Sequence, residues 1–160
     1  MTGLSGESAP LWSLSEKHLK ALSARGTVKA YPKNTVIVNE GDRSDTLFII
    51  LSGKVKVYLA DEEGKEVLLS TQRPGEYFGE MILDQGPRSA SVMTLEPSKF
   101  SVITTDQFKE FLVEHPDAGP ELVMSLIHRV RELTKTVGNL ALLDVYGPAR
   151  ATTRVGGSWR

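Results

Sequence analysis

The sequence predicts a mainly β protein, a jelly-roll β-roll with flanking helices that ends in a long C-terminal helix. Three observations support this fold class. Short β-branched segments separated by turn residues fill residues 27–103, helix-capping patterns stand on both sides of them, and an apolar repeat of helical spacing follows. A chain of 160 residues is long enough to bury one core of this kind.

Seven segments have the length and the composition of strands, and several short strands at this spacing are typical of sandwiches and jelly rolls. Turn residues such as Gly41-Asp42, Glu63-Gly64 and Pro74-Gly75 separate them. The predicted strands are Thr27–Tyr31, Thr35–Asn39, Thr46–Leu51, Lys54–Leu59, Glu66–Thr71, Ser89–Thr94 and Lys99–Ile103.

Two short helices are predicted beside the strands. The capping-box pattern Ser13-x-x-Glu16 starts the first, and Gly26 closes it. Thr104-x-x-Gln107 caps the second, which His115-Pro116 stops.

A longer helix is predicted from Pro120 to about Leu143, because proline favours the first helical turn. Its apolar residues follow a heptad with valine at every a position and leucine at every d position, which favours two parallel strands of a coiled coil. We therefore expect a homodimer, although a helix that packs this face on its own β-domain would look similar. The six residues are Val123, Leu126, Val130, Leu133, Val137 and Leu140.

Composition narrows the classes of function. The formal net charge of −1 argues against a dedicated nucleic-acid-binding surface, because such surfaces normally show a basic excess. The absence of cysteine excludes disulfides, thiolate nucleophiles and thiolate-held metals. The histidines His18, His115 and His128 fall in or beside predicted helices, so we expect neither a metal site nor catalysis. Because no apolar run approaches membrane-spanning length and Met1–Pro10 lacks a signal-peptide pattern, we expect a cytoplasmic protein.

The segment Phe78–Ala90 has the residue types that a small cyclic phosphate requires. Gly79 lets backbone amides approach an anion, and Arg88 offers a rigid fork of donors to phosphate oxygens. Glu80 can only accept hydrogen bonds, so it suits a sugar hydroxyl.

This segment resembles the phosphate-binding cassette of the cyclic nucleotide-binding domain family. Over roughly residues 14–147 the chain resembles the sensor half of cyclic-AMP receptor-type (Crp/Fnr) bacterial regulators. The resemblance implies an eight-stranded β-roll, a short helix within the cassette and a long dimer helix. The matching segments are Leu47–Val55, Asp61–Glu66, Phe78–Ala90 and Val137–Val145.

The resemblance also implies a role for each matching residue. The ribose- and phosphate-binding roles fall on Gly79, Glu80, Arg88, Ser89 and Ala90, with Met81 and Ile82 in the short helix beside the ribose. Residues that match the base pocket are Val57, Leu69 and Ser70, and Thr134 matches a dimer-helix residue that reaches the base of the partner's ligand.

Two departures from the family pattern bear on this site. The eight residues from Glu80 to Arg88 are about one fewer than in the commonest cassette, which could move the arginine. Leu133 stands where the cyclic-AMP receptors carry a hydroxyl residue that bonds the adenine amino group, which weakens the inference to cAMP but not to a cyclic phosphate.

The family places a winged helix-turn-helix after the segment that Val137–Val145 matches. Here Gly147-Pro148 breaks the helix and a short Gly/Thr/Arg-rich stretch follows, so we expect no specific DNA binding by this chain. The expected organisation is a flexible N-terminus (1–12), a cyclic nucleotide-binding β-roll with short helices (13–118), a dimer helix (119–146) and a disordered tail (147–160).

The resemblance implies a cyclic nucleotide sensor of a Crp/Fnr-type transcriptional regulator, which binds cAMP or cGMP without a cofactor and couples the ligand to the dimer helix. An alternative is a ligand-independent dimerisation or scaffold domain that keeps only the fold. An enzyme on the same β-roll is the third possibility.

Overall fold

The computed structural model describes residues 14–43, 45–79 and 86–146, with only the backbone described for 143–146. Three helices are present in these ranges: α1 (Glu16–Ser23), α2 (Thr105–Glu114) and α3 (Ala118–Tyr146). The strands are β1 (Thr27–Tyr31), β2 (Val36–Val38), β3 (Thr46–Ser52), β4 (Val55–Ala60), β5 (Glu66–Gln72), β6 (Tyr77–Phe78), β7 (Ser91–Thr94) and β8 (Ser98–Thr104).

The strands form two antiparallel four-stranded sheets, with orders β1-β8-β3-β6 and β2-β7-β4-β5. The predicted fold class, a jelly-roll β-roll with a long C-terminal helix, is confirmed. All seven predicted strands exist. Two are shorter than predicted, since Thr35 and Asn39 lie outside β2 and Ser89-Ala90 lie outside β7, and β4 begins one residue after the predicted Lys54. The eighth strand, β6, was missed because two residues give no periodic signal.

Two buried clusters lie on the two faces of the first sheet. Alternation along β3 sends Leu47 and Ile49 to one face and Phe48 and Ile50 to the other, so this sheet is covered on both sides. The first cluster joins the sheet to the helices and contains Leu14, Leu22, Leu47, Ile49, Tyr77, Ile103, Phe108, Phe111, Ala118 and Leu122. The second cluster fills the space between the sheets and contains Val38, Phe48, Ile50, Val55, Phe78, Val92 and Phe100.

The two short helices differ in how well their caps were predicted. The capping box of α2 is confirmed: Gln107 N donates to Thr104 Oγ1 over 3.1 Å, and Thr104 N donates to Gln107 Oε1 over 2.9 Å. For α1 the predicted cap is wrong, because Ser15 holds the N-cap position and its side chain accepts from His18 N. Ser13 lies outside the described residues.

A polar cluster fixes the start of α3 against α1. The buried His18 ring places Nδ1 2.8 Å from Glu121 Oε1 and Nε2 3.3 Å from Asp117 Oδ1, and Ser15 N donates to Glu121 Oε1 over 2.9 Å. Burial by itself raises the pKa of Glu121, but the backbone bond from Ser15 and the contacts with His18 outweigh it, so the pKa lies below its ordinary value. The carboxylate of Glu121 therefore holds α1 and α3 together.

Helix α3 begins two residues before the predicted Pro120 and ends at Tyr146, beyond the predicted Leu143. Its first turns are anchored by buried Ala118, Leu122 and Ser125, whereas every side chain from 130 to 142 is exposed. The heptad face therefore does not pack on the chain's own β-domain. None of the helices in the described ranges combines the length and the hydropathy that crossing a bilayer requires.

Candidate functional site

A pocket of ≈ 430 Å³ opens between the second sheet, the segment 86–90 and one face of α3. This volume falls within the range of small-molecule sites. Its described lining comprises Val38, Val57, Leu69, Ser70, Gln72, Phe78, Gly79, Gly86, Pro87, Arg88, Ser89, Ala90, Val92, Arg129, Glu132 and Leu133.

Seven of the eleven site residues predicted from sequence line this pocket. They are Val57, Leu69, Ser70, Gly79, Arg88, Ser89 and Ala90. Three others, Glu80, Met81 and Ile82, lie outside the described residues. The remaining one, Thr134, is exposed on α3 and is not among the lining residues; its hydroxyl donates to Val130 O over 2.9 Å.

The β2–β3 loop and β3 hold Arg88 in place. Its backbone N donates to Asp42 O over 2.8 Å, and its carbonyl accepts from Gly41 N over 2.9 Å. Its Nη2 donates to Thr46 O over 2.8 Å and to Thr46 Oγ1 over 3.1 Å, and the guanidinium lies 5.9 Å from the centre of the Phe48 ring. The short cassette therefore still places Arg88 at the pocket, with its planar fork fixed by two bonds from one nitrogen.

Gly79 ends β6 in a backbone conformation, φ +95°, that side chains rarely adopt. A Cβ at this position would stand 2.7 Å from Arg88 Nη1 and 2.9 Å from Thr46 O. Glycine is therefore required for the arginine to rest against Thr46. The result is a cationic fork and an exposed serine hydroxyl, Ser89, beside a glycine backbone, which is an arrangement suited to an anion.

The sheet and α3 supply the other walls of the pocket. Val57 and Ser70 are register partners on β4 and β5, and the half-exposed Leu69 adds an apolar surface beside them. Arg129 and Leu133 approach from α3, four residues apart and hence on one face of the helix. Leu133, which departs from the family pattern, thus lies at the pocket as well as on the heptad face.

Sequence reasoning missed the lining residues Val38, Gln72, Val92, Arg129 and Glu132. Helical periodicity could have indicated Arg129, because it precedes Leu133 by one turn. Gln72 carried no sequence signal. Its Oε1 atom is buried and has no hydrogen-bond partner among the described residues.

Strand β6 connects the pocket to α3 through its two alternating side chains. Phe78 lines the pocket, whereas Tyr77 belongs to the cluster under the helices. The hydroxyl of Tyr77 lies 3.2 Å from Ser125 Oγ, and the Arg129 guanidinium lies 5.4 Å from the Tyr77 ring centre. A displacement of β6 would therefore reach both the pocket and the helix.

Comparison with known proteins agrees with this geometry. The family model described as the cyclic nucleotide-binding domain matches residues 28–115, which is more than half of the chain. The chain belongs to the cyclic nucleotide-binding domain family. The match covers β1 to α2 and includes every lining residue except those on α3.

Curated relatives and a solved structure extend the likeness beyond this match. The chain is 32% identical over 138 residues to the cAMP-activated global transcriptional regulator CRP of Salmonella typhimurium, covering 85% of the chain and 61% of that protein. It is 31% identical over 118 residues to a CRP-like cAMP-activated global transcriptional regulator of Mycobacterium tuberculosis, covering 73% of the chain and 53% of the relative. The catabolite activator protein of Thermus thermophilus superposes with a TM-score of 0.73 at 28% identity, over 83% of this chain and 63% of that one.

The chain thus spans about three fifths of the length of the Salmonella relative. The two curated relatives named here are transcriptional regulators. Within the described ranges, no group of three or more histidine, aspartate or glutamate side chains is placed to hold a metal ion.

Proposed function

We propose that this chain is a cyclic nucleotide-sensing regulatory domain that binds cAMP or cGMP in the ≈ 430 Å³ pocket and performs no catalysis. The observation that carries the proposal is the position of Arg88. Its guanidinium is fixed by Thr46 at the pocket, next to Gly79 and Ser89, where it can meet a cyclic phosphate. Family membership supports the same ligand class.

In this proposal the pocket divides into a polar and an apolar part. Arg88 and Ser89 bind the phosphate, the backbone at Gly79 and Ala90 approaches it, and Glu80 accepts a hydrogen bond from a ribose hydroxyl. The family resemblance gives Met81 and Ile82 the position beside the ribose. The base packs on the apolar surface formed by Val57 and Leu69, with Ser70 beside them.

Ligand binding is coupled to α3 in this proposal. Residues of α3 line the pocket, and Tyr77 of β6 contacts the same helix at Ser125 and Arg129. A ligand that contacts both the β-roll and α3 therefore favours one position of the helix. The exposed heptad face, with Val130 and Val137 each above 60% exposed, supports a parallel homodimer. In such a dimer Thr134 would reach the ligand of the partner.

The names of the relatives suggest the cellular context. Both curated relatives named above are cAMP-activated global transcriptional regulators. We propose that this domain is the cytoplasmic sensor of a regulator of the Crp/Fnr type, and that specific DNA recognition is not a property of these 160 residues themselves.

Calorimetric titration with cAMP and with cGMP tests the proposal. Arg88→Leu should weaken binding about 10- to 150-fold, because a hydrogen bond to a charged group contributes about 1.5–3 kcal/mol. Arg88→Lys keeps the charge but loses the planar fork of donors, so its affinity should lie between those of the native chain and Arg88→Leu. The matched control is Arg73→Leu, since Arg73 is exposed and is not among the described lining residues.

Two results would contradict the proposal. Equal affinity in native protein and Arg88→Leu, with both folded by circular dichroism, would remove the arginine from the site. Binding of neither nucleotide by the native chain, combined with a stable dimer, would leave a ligand-independent dimerisation or scaffold domain.

A further inference from the structure

The carbonyl of Thr46 lies at the edge of the sheet where the described pairing of β3 with β6 has stopped. Along an antiparallel strand, alternate residues turn their backbone groups to opposite neighbours. Ile50 faces β6 and the turn before it, because its N donates to Glu76 O over 2.9 Å and its O accepts from Gly75 N over 3.0 Å. Thr46, four residues earlier, faces the same side, but the pairing reaches only Phe48. There the donor to Thr46 O is a side chain and not a strand.

That side chain is Arg88, and Thr46 offers it a second acceptor. Arg88 Nη2 donates to Thr46 O over 2.8 Å and lies 3.1 Å from Thr46 Oγ1, so two acceptors of one residue hold one nitrogen. The carbonyl bond alone would leave the guanidinium plane able to turn about it, and the hydroxyl restrains that turn. Thr46 is half-buried and is not among the described lining residues. It therefore acts on the pocket only through the arginine.

Thr46 is itself fixed from the opposite side of β3. It pairs in register with Thr104, the N-cap residue of α2. The carbonyl of the preceding residue, Asp45, accepts from Thr105 N over 3.1 Å, so the first turn of α2 is bonded to this end of the strand. A hydroxyl on a backbone held in this way is an acceptor of fixed position, as a preorganised binding site requires.

We propose that Thr46 is a positioning residue for phosphate binding, whose hydroxyl orients the Arg88 guanidinium before a cyclic nucleotide binds. This inference rests on the cyclic-nucleotide function proposed above. A long arginine side chain loses rotamer freedom when a ligand immobilises it, and a side chain that is already held loses less. The hydroxyl therefore raises the affinity for a cyclic phosphate without touching the ligand.

The variant Thr46→Val tests this role, because it keeps the shape of the side chain and the backbone carbonyl but removes the hydroxyl acceptor. In calorimetric titration of the full chain with cAMP and with cGMP, we expect the affinity to fall roughly 2- to 13-fold, the factor that corresponds to about 0.5–1.5 kcal/mol for one hydrogen bond. Thr46→Ser keeps a hydroxyl and should bind nearly as tightly as the native chain. The matched control is Thr35→Val, since Thr35 is also half-buried, donates its hydroxyl to Pro32 O over 2.9 Å and is not among the described lining residues.

Two further measurements separate positioning from support of the fold. In the Arg88→Leu background, Thr46→Val should change nucleotide affinity little, because the hydroxyl acts through the guanidinium. A residue that only stabilises the sheet would lower the affinity by the same factor in both backgrounds. Nitrogen NMR of the ligand-free chain observes the guanidinium directly: its rotation should be slow in the native chain and in Thr46→Ser, and faster in Thr46→Val.

The failures are distinguishable. Unchanged affinity in Thr46→Val, a loss that Thr46→Ser shows equally, an equal loss in both Arg88 backgrounds, or guanidinium rotation that Thr46→Val leaves unchanged would each overturn the positioning role. All four leave the cyclic-nucleotide function standing. Binding of neither nucleotide by the native chain overturns the proposed function, and the positioning role with it.

Discussion

Replacing Gly79 by alanine changes two things at once, and a second glycine separates them. Gly79 has φ +95° and Gly64, in the turn between β4 and β5, has φ +86°. An alanine at either position carries backbone strain of about 1–3 kcal/mol. At Gly64 the added Cβ meets nothing within 4 Å, whereas at Gly79 it meets Thr46 O at 2.9 Å and Arg88 Nη1 at 2.7 Å. Overpacking of this kind costs about a further 1–3 kcal/mol.

We therefore expect Gly79→Ala to lower the free energy of unfolding by about 2–6 kcal/mol and Gly64→Ala by about 1–3 kcal/mol. Urea denaturation followed by far-UV circular dichroism measures both. The end of the Arg88 side chain is flexible and the Thr46 carbonyl is not, so Arg88 should move away from the added methyl group. Gly79→Ala, unlike Gly64→Ala, should therefore also weaken nucleotide binding. Equal destabilisation by the two variants, with nucleotide affinity unchanged in both, would refute the packing at this site.

Three further predictions concern α3: its contact with β6, its contact with α1 and its exposed heptad face. Tyr77→Phe should lower the free energy of unfolding, measured by urea denaturation, by about 1–3 kcal/mol, because it leaves the buried Ser125 hydroxyl without its partner. The double variant with Ser125→Ala should lose less than the sum of the two single variants, and strict additivity would contradict the hydrogen bond. The pKa of Glu121 is lowered in the folded state, so the stabilisation by its carboxylate is present above the ordinary glutamate pKa and is lost as the pH falls through the pKa of the folded state. Glu121→Gln should therefore flatten the acid side of the curve of unfolding free energy against pH. Curves of the same slope for native protein and variant would argue against the cluster. Val130→Glu with Val137→Glu should give a monomer in sedimentation, whereas a native chain that is already monomeric at tens of micromolar would rule out the coiled coil.

Local sequence patterns predicted the elements of this fold where the pattern was long, and failed where a distant contact decided the outcome. Ser13 and Ser15 both precede α1 and both can cap a helix. The structure uses Ser15, whose backbone donates to Glu121, a residue 106 positions away. No window of sequence around α1 contains that information, and the same holds for β6, which is defined by its pairing with β3.

The candidate site divides in the same way. The sequence indicated Arg88 and Gly79 because their chemistry is local to the cassette. The groups that hold the arginine, Thr46 and the Gly41-Asp42 turn, lie more than forty residues away along the chain and come together only through the jelly-roll topology. On α3 the predicted site included only Thr134. Arg129 and Glu132 were missed because exposed residues on a dimer helix are ordinarily explained by the dimer alone.

The geometry of β6 and α3 explains how a small ligand could have a large effect at the far end of the helix. β6 is only two residues long, and its Phe78 ring stacks on Phe48 at 4.9 Å while Tyr77 holds α3 at Ser125. Beyond that anchor, the side chains from 130 to 142 make no buried contact with the β-domain, and α3 continues to Tyr146. At about 1.5 Å per residue this segment extends about 25 Å, so a tilt of about 5° at the anchor moves its end by about 2 Å. A shift of that size is enough to change how two such helices pack, since interfaces respond to displacements of about 1–2 Å. In the proposed dimer, the free length of α3 would therefore convert a small movement of β6 into a shift that the partner helix can detect.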